Sequence, residues 1–180
     1  IPVGALSADS APFNVRADDA YVDANDNLSV TITGTSGANY EAVSTSGTIS
    51  NSVVDDADVT TLSLSASASV SEGGTITYTA SLTNPAETAM SVTLSNGAVI
   101  NIIAGASSGN VSVAAPSDDV YIDAGSVSAT IASSSGGNFE SLTTNPAAAA
   151  TTITDTIDTT SVTLSSATAG SNVTEGGSIV

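Results

Sequence analysis

Six acidic residues, Glu72, Asp118, Asp119, Asp123, Asp155 and Asp158, are the side chains best suited to chemistry in this sequence. Five more, Asp18, Asp19, Asp23, Asp55 and Asp58, stand about 100 residues earlier in matching places, and Glu175 repeats Glu72 near the far end. The chain has 18 acidic residues against one basic residue, Arg16, and a formal net charge of −17, so these carboxylates have few counter-ions of their own. Crowded carboxylates repel one another unless protons or cations neutralise them. Calcium suits them, because it takes six to eight oxygen ligands in flexible geometry, whereas magnesium keeps its waters and zinc prefers the His and Cys missing from this chain. The competing reading is that the acids are solvated turn residues that keep the surface soluble.

The same composition argues against other functions. A strongly negative chain repels nucleic-acid phosphates and anionic lipid headgroups. Neither His nor Cys is present to activate a nucleophile, and the acid pairs lack an aromatic platform for sugar, with no Trp and only six Tyr and Phe together. No enzyme is expected. The absence of Cys also rules out disulfides, leaving the fold to its core and to hard cations. Disorder is the weaker reading, since only 11% of residues are charged and mean hydropathy is +0.26. No apolar run approaches the roughly 20 residues that span a bilayer, and no secretory leader opens the segment, so targeting signals are expected elsewhere.

Internal repetition shows what must position the acids. Asp18-Asp19-Ala20-Tyr21-Val22-Asp23-Ala24 returns as Asp118-Asp119-Val120-Tyr121-Ile122-Asp123-Ala124, and Gly37-Ala38-Asn39-Tyr40-Glu41 as Gly136-Gly137-Asn138-Phe139-Glu140, with one deletion near Gly125. Asp55 to Asp58 matches Asp155 to Asp158, with Thr156 replacing Asp56, and Val70-Ser71-Glu72-Gly73-Gly74 returns as Val173-Thr174-Glu175-Gly176-Gly177. The expected organisation is the C-terminal part of one unit over 1–58, a complete unit over 59–158 and the opening of a third over 159–180.

Abundant Thr, Ser, Val and Ile with period-2 alternation predict an all-β chain of tandem immunoglobulin-like β-sandwich repeats of about 100 residues. In the complete unit, strands are expected at 60–66, 75–83, 89–94, 99–103, 110–114, 126–132 and 151–157. Asn96-Gly97 predicts a two-residue type I′ hairpin, and the run from Pro146 to Ala150 a connection or strand. In an antiparallel sandwich the loops alternate between two ends, which gathers Glu72, the Asp118–Asp123 loop and the Asp155–Asp158 loop at one end. The Gly136–Glu140 loop then faces the preceding unit, making Asn138 and Glu140 further candidate ligands at the junction. The rival for that loop is an ordinary turn with Phe139 anchored in the core.

Val70-Ser71-Glu72-Gly73-Gly74, Ala104-Gly105-Ala106, Ser117-Asp118-Asp119-Val120-Tyr121-Ile122-Asp123 and Thr154-Asp155-Thr156-Ile157-Asp158 together resemble the extender repeats of RTX-type giant adhesins of Gram-negative bacteria. The chain is similar, more loosely, to Calx-β domains, in which a Glu-Gly and an Asp-Asp loop contribute to calcium sites. The adhesin resemblance implies a calcium-ordered string of sandwiches, extracellular at the cell surface and secreted by a type I system. Such a string projects a separate binding domain and supports attachment and biofilm formation. Neighbouring repeats of the same chain are the implied partners, with no nucleic acid and no direct membrane insertion. Two rivals stand beside it: a repeat that itself binds glycan, ice or protein, and a filament or surface layer that self-associates laterally. Val99–Ile103 is the stretch to watch for an exposed edge, although a buried strand fits it too.

Overall fold

The computed structural model describes residues 1–37, 39–167 and 169–179. Ala38 of the Gly37–Glu41 landmark lies outside the described residues, as do Thr168 and Val180 of the expected 159–180 segment. The described residues are all-β, with no helix. The strands are β1 (Asp26–Thr31), β2 (Thr48–Val53), β3 (Val59–Ala66), β4 (Ser69–Ser71), β5 (Thr75–Leu82), β6 (Met90–Leu94), β7 (Val99–Ile102), β8 (Ser108–Ala114), β9 (Gly125–Ala129), β10 (Ile131–Gly136), β11 (Ser141–Thr144) and β12 (Ala149–Thr154).

Alternation in the sequence becomes alternation of burial. On β5, Ile76, Tyr78, Ala80 and Leu82 point inward while the Thr and Ser between them are half-buried or exposed. On β6 the inward set is Met90, Val92 and Leu94, on β7 Ile100 and Ile102, and on β12 Ala149, Thr151 and Ile153. This is the pattern of sheets with one face packed and one solvated. Every fully buried residue among those described lies between Thr60 and Ile153. The core therefore sits inside the stretch expected to be a complete unit.

The strands pair in the orders β11-β3-β5-β8, β10-β6-β7 and β4-β12-β9, with β1-β2 as a separate ribbon. Thr130 alone separates β9 from β10, so the two three-stranded groups run into one another, and together with the four-stranded group they fit a β-sandwich. Two further chain segments switch partners midway. The run β3 to β4 pairs first with β5 and then, in parallel, with β12, while β11 and β12 pair in parallel with β3 and β4. The two crossings run side by side on one flank. On the other flank Gly109 of β8 packs against β7 so tightly that a Cβ would lie 2.4 Å from the Asn101 carbonyl oxygen.

The β6–β7 hairpin forms at the expected place but with a different turn. Gly97 has φ 83°, yet Asn138 is the one non-glycine residue with positive φ among those described, so Asn96 is not left-handed as a type I′ turn requires. Gly97 N–H bonds to Leu94 C=O at 2.9 Å, and Leu94 N–H to Ala98 C=O at 2.8 Å. That is a tight turn followed by one bulged left-handed glycine, and Asn96 Oδ1 accepts the Ala98 N–H instead of adopting positive φ.

Strands β1 and β2 pair in a register that matches β9 and β12. Asp26 faces Val53, and Gly125, 99 positions after Asp26, faces Ile153, 100 positions after Val53. The deletion near Gly125 falls just before the first of the paired strands, and one extra residue between them restores the offset to 100, so the pairing is kept.

Candidate metal centre

Three loops meet at one end of the core. Glu72 opens the turn between β4 and β5, where Gly73 has φ 68° and Gly74 N–H closes on Ser71 C=O at 3.0 Å. Backbone bonds tie this turn to the other two loops: Glu72 N–H to Thr154 C=O at 3.1 Å, and Gly73 N–H to Pro116 C=O at 2.7 Å. Asp123 N–H in turn donates to Asp155 Oδ1 at 3.3 Å. As a result, carboxylate oxygens of Glu72, Asp123 and Asp155 lie within 4.8 Å of one another. Oxygens sharing one calcium ion at its usual bond length lie at most about 5 Å apart.

Glu72 is the strained member of the group. It is 7% exposed, and its Oε2 is buried with no hydrogen-bond partner. Burial, then a hydrogen bond with Asp123 and the charges of Asp123, Asp155 and Asp119, push its pKa up to about 7. Two carboxyls can share such a bond only with a proton between them. A buried acceptor without a partner is costly, and a divalent cation between the three carboxylates would satisfy it. Glu72, Asp123, Gly125 and Ile153 line a cleft of about 140 Å³. The residues thus fit a hard cation in spacing, donor type and unmet bonding capacity.

The remaining expected ligands take varied positions. Asp119 Oδ1 accepts the Tyr121 N–H at 2.8 Å, shaping the loop, and its charge reaches Glu72. Asp118 lies beside Gly73 and accepts a hydrogen bond from Thr156 Oγ1. Asp158 is exposed beyond the end of β12. Glu175 is also exposed, in a turn built like that of Glu72, with Gly176 at φ 83° and Gly177 N–H on Thr174 C=O at 2.9 Å.

The earlier acids reproduce the same local contacts. Asp19 Oδ1 accepts the Tyr21 N–H at 3.0 Å, and Asp55 Oδ2 accepts the Asp23 N–H at 2.9 Å. Asp18 pairs with Asp56, and its pKa is raised first by that hydrogen bond and then by Asp56's charge. In the later loop, Thr156 supplies a hydroxyl donor to Asp118 where Asp56 supplies a carboxyl to Asp18. Asp58 N–H donates to Glu140 Oε2 at 2.5 Å. That bond lowers the Glu140 pKa, but burial and the neighbouring Asp55 and Asp58 outweigh it and raise the pKa overall.

The Gly136–Glu140 loop does meet the preceding segment. Val22 N–H bonds to Asn138 C=O at 3.0 Å and Glu140 N–H to Ala20 C=O at 3.2 Å, while the Tyr21 and Phe139 rings sit 6.1 Å apart. The Tyr21 hydroxyl donates to Pro85 C=O at 2.8 Å. Asn138, at φ 58°, serves as a connector through its Nδ2, which donates to Glu87 Oε2 and Val22 C=O. Phe139 packs on the core, as the turn reading expects, and also meets Tyr21 of the preceding segment.

Residues 58–156 match the model of the LapA domain, more than half of the chain. The chain belongs to the LapA domain family. The LapA match takes in the whole buried core and Glu72, Asp118, Asp119, Asp123 and Asp155, and ends before Asp158. LapA membership marks an adhesin-related protein of the cell surface or extracellular space, concerned with surface attachment. No helix of the described residues is long and apolar enough to cross a membrane. No curated protein and no solved structure matches the chain.

Arg16 and Thr156 contact acidic side chains without having been among the candidate ligands read from the sequence. Their only signals were compositional: Arg16 is the sole base, and Thr156 is the one departure within a repeated acidic run.

Proposed function

We propose that this LapA chain is a calcium-stabilised extender segment of a large secreted adhesin of the RTX type, a structural and non-catalytic element that holds a distal binding domain away from the cell. On this reading its units are immunoglobulin-like, repeat every hundred residues or so, and join end to end. The buried, unpartnered Glu72 Oε2 among Asp123 and Asp155 carries the proposal, because a divalent cation held by the three carboxylates would satisfy that oxygen and offset their charge. The shared register of β1-β2 and β9-β12 supports repetition, and the Tyr21–Phe139 contact supports a defined joint.

Calorimetric titration with calcium chloride tests the assignment. Asp123→Asn combined with Asp155→Asn is expected to abolish one binding event seen with the unaltered chain. An identical titration would remove these residues from the site.

A further inference from the structure

Asp23 and Asp55 are the counterparts of Asp123 and Asp155, and a basic side chain stands among them. Arg16 reaches between them: Nε lies 3.1 Å from Asp23 Oδ2 and Nη2 lies 2.8 Å from Asp55 Oδ1. Nη1 donates to Ala24 C=O at 2.6 Å and lies 3.4 Å from Asp26 Oδ2. Four oxygens from three carboxylates and one carbonyl therefore converge on a single guanidinium. These are the donor types a hard cation uses. An arginine stays charged at every physiological pH and presents five N–H donors, so it holds such a set of oxygens together permanently while cancelling one of its three negative charges. Asp55 is accordingly held below the usual carboxylate range, first by the Asp23 N–H and then, against the effect of burial, by Arg16.

The later unit lacks both halves of this arrangement. Pro116 stands 100 positions after Arg16, and Gly125 pairs in the strand register where Asp26 does. Base and extra acid occur together in one unit and are missing together from the other. Pro116 and Gly125 both line the cleft beside Glu72 and Asp123, so the later unit keeps open the space that Arg16 occupies earlier.

We propose that Arg16 is a built-in substitute for a metal ion, clamping Asp23, Asp26 and Asp55 so that this end of the first unit needs no calcium while the Glu72 end of the second does. The proposal rests on the calcium reading of the Glu72 cluster only for its second half. It makes the joints of the string unequal in their need for calcium, with the sequence position of one arginine setting which is which.

Equilibrium dialysis of the full chain against calcium chloride tests it. Arg16→Gln is expected to bind one more calcium ion than the unaltered chain, because the four oxygens are then left without a cation. Stoichiometry equal to that of the unaltered chain overturns the proposal. If the unaltered chain binds none and Arg16→Gln binds one, the Glu72 site falls and the Arg16 clamp stands. Pro116→Arg with Gly125→Asp provides the reciprocal arm: the calcium-induced rise in Tm should shrink to under about half. An undiminished rise in that variant, with its fold intact by circular dichroism, would also overturn it.

Discussion

Glu72 concentrates the electrostatic tension of the molecule, since it is a buried acid facing other acids with one oxygen unpartnered. Its folded-state pKa of about 7 lies above the ordinary 4.5, so without metal the folded chain holds more protons than the unfolded chain between those values. Metal-free stability should therefore be fullest below about pH 4.5 and fall as pH rises toward about 7. Calcium must displace that proton, so its stabilising effect should grow over the same window, as paired melting curves at several pH values would show. Glu72→Gln keeps the shape and removes the charge. It should raise the metal-free Tm at pH 7 by on the order of a few degrees and reduce the gain from calcium. The acids themselves were legible from residue type and repetition. Arg16 was not, because its partners lie up to 39 residues away in sequence and no local pattern announces them.

At the scale of elements, alternation found the strands that alternate. β5, with Ile76, Tyr78, Ala80 and Leu82 inward, needed nothing more. β4 and β11 escaped because each is short and forms a parallel pair with a distant partner, β12 for one and β3 for the other. Leu142 is the sole apolar residue of β11, too little for a period to appear. The expected strand over 126–132 is really β9 and β10, split at Thr130, where the chain passes from pairing with β12 to pairing with β6. Closure of the β7–β8 flank depends on Gly109, whose added Cβ would meet backbone that cannot yield. Gly109→Ala should cost about 1–3 kcal/mol by urea denaturation, as overpacking does.

Across the whole molecule, the contact of Tyr21, Val22 and Ala20 with Pro85, Asn138, Phe139 and Glu140 joins the first segment to the core of the second. Tyr21→Ala should speed hydrogen exchange at the Val22 and Glu140 amides and leave the amides of buried β5 unchanged, separating the joint from the fold. On the proposed function, extension over many such units requires that they be stiff under the calcium outside a cell, and this is the central claim. Thermal unfolding of the chain in excess EGTA, in millimolar calcium and in millimolar magnesium tests it most directly. Calcium at about a hundred times its Kd adds about 2.7 kcal/mol, a rise on the order of 10 °C or more for a domain of this size. A rise produced by calcium and not by magnesium is the predicted result; the same midpoint in EGTA and in calcium would contradict the account.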